Sequence, residues 1–181
     1  PPAISSLSDL DDAVAGTKAT EKTTAQSAAL DFAEGSVGQW PADTAIPGGY
    51  TGNWGLAIKG KIRVATAGTY RFAVGSDDGA RLMIDVDKNG FGATDTVLDD
   101  PGPHAHQIVY ANVSFPTAGT YDFDLRSYNS SGGGSLEASV AIQEGAIPDD
   151  DLASGYWEML GTEGGISPVT LDGTAEVTAY R

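Results

Sequence analysis

Two stretches of this chain carry oxygen-bearing side chains at matched places. Thr66-Ala67-Gly68-Thr69-Tyr70-Arg71-Phe72 recurs as Thr117-Ala118-Gly119-Thr120-Tyr121-Asp122-Phe123, and each copy runs into a polar loop, Ser76-Asp77-Asp78-Gly79 in one and Ser127-Tyr128-Asn129-Ser130 in the other. Counted from its tyrosine, Asp78 and Asn129 both lie eight residues on. Two similar strands of equal length would bring a carboxylate pair and an amide to one end of a sandwich, which makes that end the first candidate site. Calcium takes six to eight oxygens. Adjacent carboxylates, an amide oxygen and carbonyls of the Gly132-Gly133-Gly134 run can supply most of them, leaving positions for waters or diols. The competing reading of Asp77-Asp78-Gly79 is a turn made of good turn residues.

A second acidic stretch is independent of the first. Asp85-Val86-Asp87-Lys88-Asn89-Gly90 puts oxygens at positions one, three and five and glycine at six, the opening of an EF-hand-type calcium loop. Position twelve is Thr96 rather than Glu, Asp95 lies one residue early, and no helix pattern flanks the segment, so a polar hairpin tip turning at Asn89-Gly90 competes with a metal loop. His104 and His106 alternate beside Asp99 and Asp100, which suits a rim contact or a strand end better than a four-ligand zinc site. Trp40, Trp54 and Trp157 read as core or anchored residues. No Gly-x-Ser-x-Gly elbow, HExxH motif or phosphate loop occurs, so no enzyme activity is expected.

The elements that would position these groups are mostly strands. Ser6 can cap a short helix with Asp9 at its third position, a Leu7, Leu10, Val14 stripe and Gly16 to end it. After it the period is two: Leu56, Ile58, Ile62 and Val64; Tyr70, Phe72 and Val74; Leu82 and Ile84; Val109, Val113 and Phe115; Tyr121, Phe123 and Leu125; Leu136, Ala138, Val140 and Ile142. Segments at Val169 to Leu171 and Ala175 to Ala179 look like closing strands. Short alternating strands between Gly, Pro and Asp turns predict an all-β fold, a two-sheet antiparallel β-sandwich with a short N-terminal helix. The glycine run lies between good strands, so residues 1–181 read as one domain, and the Pro1-Pro2 start reads as that of a mature or excised fragment of a larger protein.

Composition agrees with a hard-cation partner. The 181 residues carry a net charge of −15, which repels phosphate backbones and anionic membranes, so nucleic acid is not expected as a partner. Of 25 acidic residues 18 are Asp, the acid that suits turns and hard-cation ligation, although an acidic surface adapted for solubility fits the same count. With no cysteine, disulfides and thiolate metal sites are excluded. No apolar run approaches the ~18 residues needed to cross a bilayer.

Gly68-Thr69-Tyr70-Arg71-Phe72 leading to Ser76-Asp77-Asp78-Gly79-Ala80-Arg81-Leu82, then Asp99-Asp100-Pro101-Gly102-Pro103-His104, then Ala118-Gly119-Thr120-Tyr121 and Tyr128-Asn129 before a Gly-rich turn, resembles the domain named after the anthrax toxin protective antigen. That β-sandwich occurs in yeast flocculins and epithelial adhesins, in some glycosidases and in large bacterial adhesins. The resemblance covers roughly Leu7 to Ile142. In the family's lectin members paired aspartates joined by a cis peptide hold a calcium ion that binds sugar hydroxyls directly, which implies Asp77 and Asp78 as ligands. A second loop there adds an Asn side chain and backbone carbonyls, implying Asn129 with the carbonyls of Ser131 and Gly133. Between Asn129 and Leu136 this chain has no aromatic residue to pack on a sugar. Tyr128 is then the better stacking candidate, with Asp77, Asp78, Gly79, Asn129 and His104 around the sugar. The expected function is a calcium-dependent lectin module of a secreted or surface adhesin, monomeric as an isolated domain and binding glycans or simple sugars with vicinal hydroxyls. Its rivals are a calcium-stiffened spacer or interaction module and an accessory domain of a secreted glycosidase or protease.

Overall fold

The computed structural model describes residues 2–18 and 20–181. Helix α1 (Leu7–Ala15) begins where the Ser6 hydroxyl accepts the Asp9 N–H at 3.1 Å and ends at Gly16, whose φ of +78° is the left-handed cap conformation glycine adopts without strain. Twelve strands follow: β1 (Lys22–Ser27), β2 (Asp31–Ala33), β3 (Trp54–Val64), β4 (Gly68–Asp77), β5 (Ala80–Ile84), β6 (Thr96–Asp100), β7 (Gln107–Phe115), β8 (Gly119–Asn129), β9 (Ser135–Ala141), β10 (Trp157–Met159), β11 (Val169–Leu171) and β12 (Ala175–Tyr180). They form two sheets. The larger runs β1-β12-β3-β8-β5-β6 with β11 also on β3, and the smaller runs β10-β9-β4-β7 with β2 also on β9. Every pairing between these strands is antiparallel, so the fold is the all-β sandwich that the alternation predicts.

The repeated sequence has a structural cause. Tyr70 Oη donates to the Thr66 carbonyl at 2.7 Å, and Tyr121 Oη donates to the Thr117 carbonyl at 2.6 Å, so each copy locks the corner that feeds its strand. The glycines between, Gly68 and Gly119, have φ of +156° and +146°, which a side chain would resist. Beyond the corners, Phe72, Val74 and Ser76 of β4 and Phe123, Leu125 and Ser127 of β8 all turn inward and are buried. Phe115 and Tyr121 meet with ring centroids 4.8 Å apart in the same core. Because β4 lies inside one sheet and β8 inside the other, equal counts from equal corners bring Asp78 and Asn129 out at the same end.

Helix α1 covers the outer face of the larger sheet near that end. Ile4, Leu7, Leu10 and Ala13 pack with Ala57, Tyr128 and Tyr180, and Gly55 admits Leu10, whose Cδ1 would lie 2.7 Å from a Cβ placed there. Arg81 and Arg126 both reach Asp11, at 2.7 and 2.6 Å. Partly exposed ion pairs contribute at most about 1 kcal/mol each, whereas burying one leucine side chain contributes about 1.5–3 kcal/mol. The apolar contacts therefore dominate the docking.

Candidate functional site

The first site forms where β4 ends. The Asp77–Asp78 peptide is cis, as the resemblance implies, and the chain passes through Gly79 into β5. Gly79 is enclosed: a Cβ there would lie 2.7 Å from the Asp100 carbonyl and 2.8 Å from the Tyr128 ring. The Asp78 carboxylate joins three segments. Its Oδ1 accepts the His104 N–H at 3.0 Å, and its Oδ2 accepts the Ser130 N–H at 2.9 Å and the Ser130 hydroxyl at 2.7 Å. Backbone bonds from Asp78 N to Tyr128 O (3.0 Å) and from Tyr128 N to Gly79 O (3.1 Å) stitch the two loops side by side.

Asn129 is held from one side only. Its Nδ2 donates to Gly132 O at 3.0 Å, Glu34 Oε1 at 3.1 Å and Gly52 O at 3.3 Å. Turning the amide over would set its oxygen against the Glu34 carboxylate and two carbonyls, so these acceptors fix the orientation. The Asn129 Oδ1 is then left buried with no donor. Glu34 is fixed in turn: both its oxygens accept the Gly52 N–H, at 3.1 and 3.0 Å, and Oε1 accepts the Trp54 indole N–H. In the glycine loop alternate carbonyls are used. Gly132 O accepts from Asn129 and Gly134 O accepts from Glu34 N, while among the described residues the carbonyls of Ser131 and Gly133 accept no protein donor.

This donor set fits a hard cation. A buried amide oxygen without a proton donor, two adjacent carboxylates and two spare carbonyls are all oxygen ligands; Asp78 Oδ1 keeps a lone pair beyond the bond it accepts, while Ser130 occupies both lone pairs of Oδ2. Charge points the same way. Burial first, and then the neighbouring Asp78 charge, raise the Asp77 carboxyl above its ordinary value, against the opposing pull of His104 and His106.

The sugar-facing residues divide. Asp77, Asp78 and Asn129 come together, and His104 stands at the rim with its ring Nε2 3.1 Å from Asp100 Oδ2 and its N–H on Asp78. Tyr128 is a correction. It is 1% exposed, its ring lies under helix α1, and its hydroxyl bonds Pro101 O at 3.1 Å, so it offers no face to a sugar. Strand alternation gives the reason, since the neighbour of an inward Asn129 must face outward, into the helix. Gly79 is corrected with it, being buried against Asp100 and Pro101 and serving close packing. Glu34 and Ser130 are site residues that no spacing in the sequence announces.

The second acidic stretch is the β5–β6 hairpin tip, where Asp95 lies beside the expected Asp85 and Asp87. Carboxylate oxygens of Asp85, Asp87 and Asp95 lie within 4.8 Å of one another, with Asp85 and Asp95 buried and Asp87 exposed. Asp85 accepts the Asn89 and Gly90 N–H groups at 3.1 and 3.0 Å, while the Asn89 side chain donates to Asp87 at 2.7 Å. Asp95, one residue early for an EF-hand, is brought to this cluster just before β6 begins.

Residues 35–90 match the PA14 domain, a stretch that holds Asp77-Asp78 and most of the acidic hairpin. No curated protein matches the chain. Among solved structures, a PA14 domain of the MpAFP antifreeze protein is similar over 81% of this chain and 79% of its own, with 19% identity and a TM-score of 0.58. A PA14 sugar-binding domain from an RTX adhesin aligns with 57% of this chain and 49% of its own length, with 19% identity and a TM-score of 0.42.

Proposed function

We propose that this chain is a domain of the PA14 type, which it matches over residues 35–90, and that it serves as a calcium-dependent carbohydrate-binding module of a secreted or surface-attached protein. The observation that carries this reading is the buried Asn129 Oδ1, held without a donor in the residue next to Ser130, which the Asp78 carboxylate holds. Asp77, Asp78, Asn129 Oδ1 and the carbonyls of Ser131 and Gly133 would hold the ion. Bound there, calcium would supply a positive centre with open positions for two neighbouring sugar hydroxyls.

The chain's own residues do the rest. Asp78 locks the Ser130 loop and the His104 backbone in place, so the ligands are preorganised before any sugar arrives. Carboxylate oxygens accept hydrogen bonds from the same hydroxyls, which fixes the sugar's orientation. With Tyr128 buried, one ring replaces a few waters and covers little apolar surface. A dissociation constant on the order of 0.1 to 10 mM follows, and strong attachment needs many copies. Sites with this few charges work at roughly millimolar calcium, an extracellular concentration. A glycosidase or protease carrying the same module would use it for targeting.

Calorimetric calcium titration of the parent and of Asp77→Asn tests the reading. Asp77→Asn removes one charge from the ligand set while leaving the Asp78 tether whole, and it is expected to lose one calcium. An unchanged calcium count contradicts the reading.

A further inference from the structure

The loop of residues 34–45 crosses the outer face of the smaller sheet, covering two carboxylates that the sugar site does not use and bringing a third, its own Asp43, against them. Asp31 and Glu137 are directly opposed in the β2–β9 pairing, and they are 0% and 1% exposed. Phe32 and Leu136, their inward neighbours, lie in the core, so both acids point outward beneath the loop. Asp43 returns the loop to the sheet, its N–H donating to Asp31 Oδ2 at 2.9 Å.

Glu137 is satisfied by the loop. It accepts the Gln39 N–H at 3.1 Å and the Trp40 N–H at 3.3 Å. The two aspartates are not: Oδ1 of Asp31 and Oδ1 of Asp43 are both buried with no partner. Among the described residues no lysine or arginine pairs with any of the three acids, and the nearest basic group is the His106 ring, with Nε2 3.7 Å from Glu137. Burial lowers the pKa of that ring, which opposes its charged form. Like charges opposed across strands repel, and a buried carboxylate without a partner costs several kcal/mol.

We propose that Asp31 and Asp43 form a further cation site, taking a hard divalent ion such as calcium between their unpartnered oxygens. Asp43 is half-buried, which leaves one side open to the waters such an ion keeps. Burial also raises the carboxyls of Asp31 and Glu137, the behaviour of acids lacking a compensating positive charge. The ion would pin the loop whose first residue, Glu34, orients Asn129. The site does not depend on the sugar-binding reading.

Calcium is the probe, and Asp31→Asn keeps the shape while removing one charge. With an ion present, the calorimetric calcium count falls by one, and the melting temperature falls in calcium yet rises in chelator, where the substitution only relieves repulsion. An unchanged count with an equal rise in both conditions overturns the proposal and leaves the acids compensated by protons. If Asp31→Asn does not fold, Asp43→Asn gives the same readout at a half-exposed position whose φ of +39° asparagine tolerates.

Discussion

The two acidic ends of β5 are built by opposite routes. At its start, Asp77 and Asp78 meet Asn129 from the other sheet, and Glu34, Ser130 and His104 hold the group from three further segments. At its far end, five residues and about 15 Å away at ~3.3 Å per residue, Asp85, Asp87 and Asp95 all come from one hairpin turn. Lys88 from that turn lies 4.4 Å from the Tyr121 ring, at the corner where β8 begins, whereas Asn129 is where β8 finishes. A site assembled across two sheets is rigid before any ligand binds. A local turn can order itself around an ion, which suits a stiffening role.

The largest difference is expected from Asp78→Asn. It weakens the ion's ligand set and turns an N–H toward donors on Ser130 and His104, so sugar binding falls more than about 100-fold and calcium at that end is lost. Any ion bound by the hairpin should stay. Calorimetry that lost both ions together would break the separation of the two ends.

Next in size is a pH effect under the loop that leads to Glu34. Burial, opposed by the Gln39 and Trp40 N–H groups, pushes the Glu137 carboxyl from 4.5 up to about 7. A raised acid stabilises the fold in its neutral form, so that contribution is complete below pH 4.5 and is lost as pH rises through about 7. At about 1.4 kcal/mol per pH unit the decline amounts to on the order of 3 kcal/mol. Denaturant unfolding in chelator across this range should show it, and Glu137→Gln should flatten it.

Glu34→Gln comes third. It keeps an oxygen for the Trp54 and Gly52 N–H groups but weakens the acceptor that orients Asn129, and supporting residues of this kind cost about 10–100-fold in metal affinity. Only the Asn129 end should respond. The smallest effect belongs to the hairpin: if it holds an ion, Asp95→Ala should remove it, and at ten times its dissociation constant such an ion contributes about 1.4 kcal/mol. That is about 3–6 °C in melting temperature, with sugar binding unchanged on glycan-coated beads.

The central strands were legible because each has one buried and one exposed face, and α1 because its cap and stop are local. β1 was not: Lys22–Ser27 is largely exposed and polar on both faces. β2 and β10 have three residues each, too few for a period to show. In the site, the repeat made Asp78 and Asn129 visible together because a count along two strands survives folding. Glu34 was invisible because it arrives from a loop by tertiary contact alone. Tyr128 misled because adjacency in a strand means opposite faces, and α1 takes that face.

The most direct test of the central claim is a glycan array probed with the parent domain in millimolar calcium and again in chelator. Glycans ending in sugars with suitably oriented vicinal hydroxyls, such as fucose, glucose, mannose or galactose, should be bound in calcium and released in chelator. Equal binding in both conditions, or no glycan bound while calorimetry shows the Asp77 and Asp78 site filled, would contradict it.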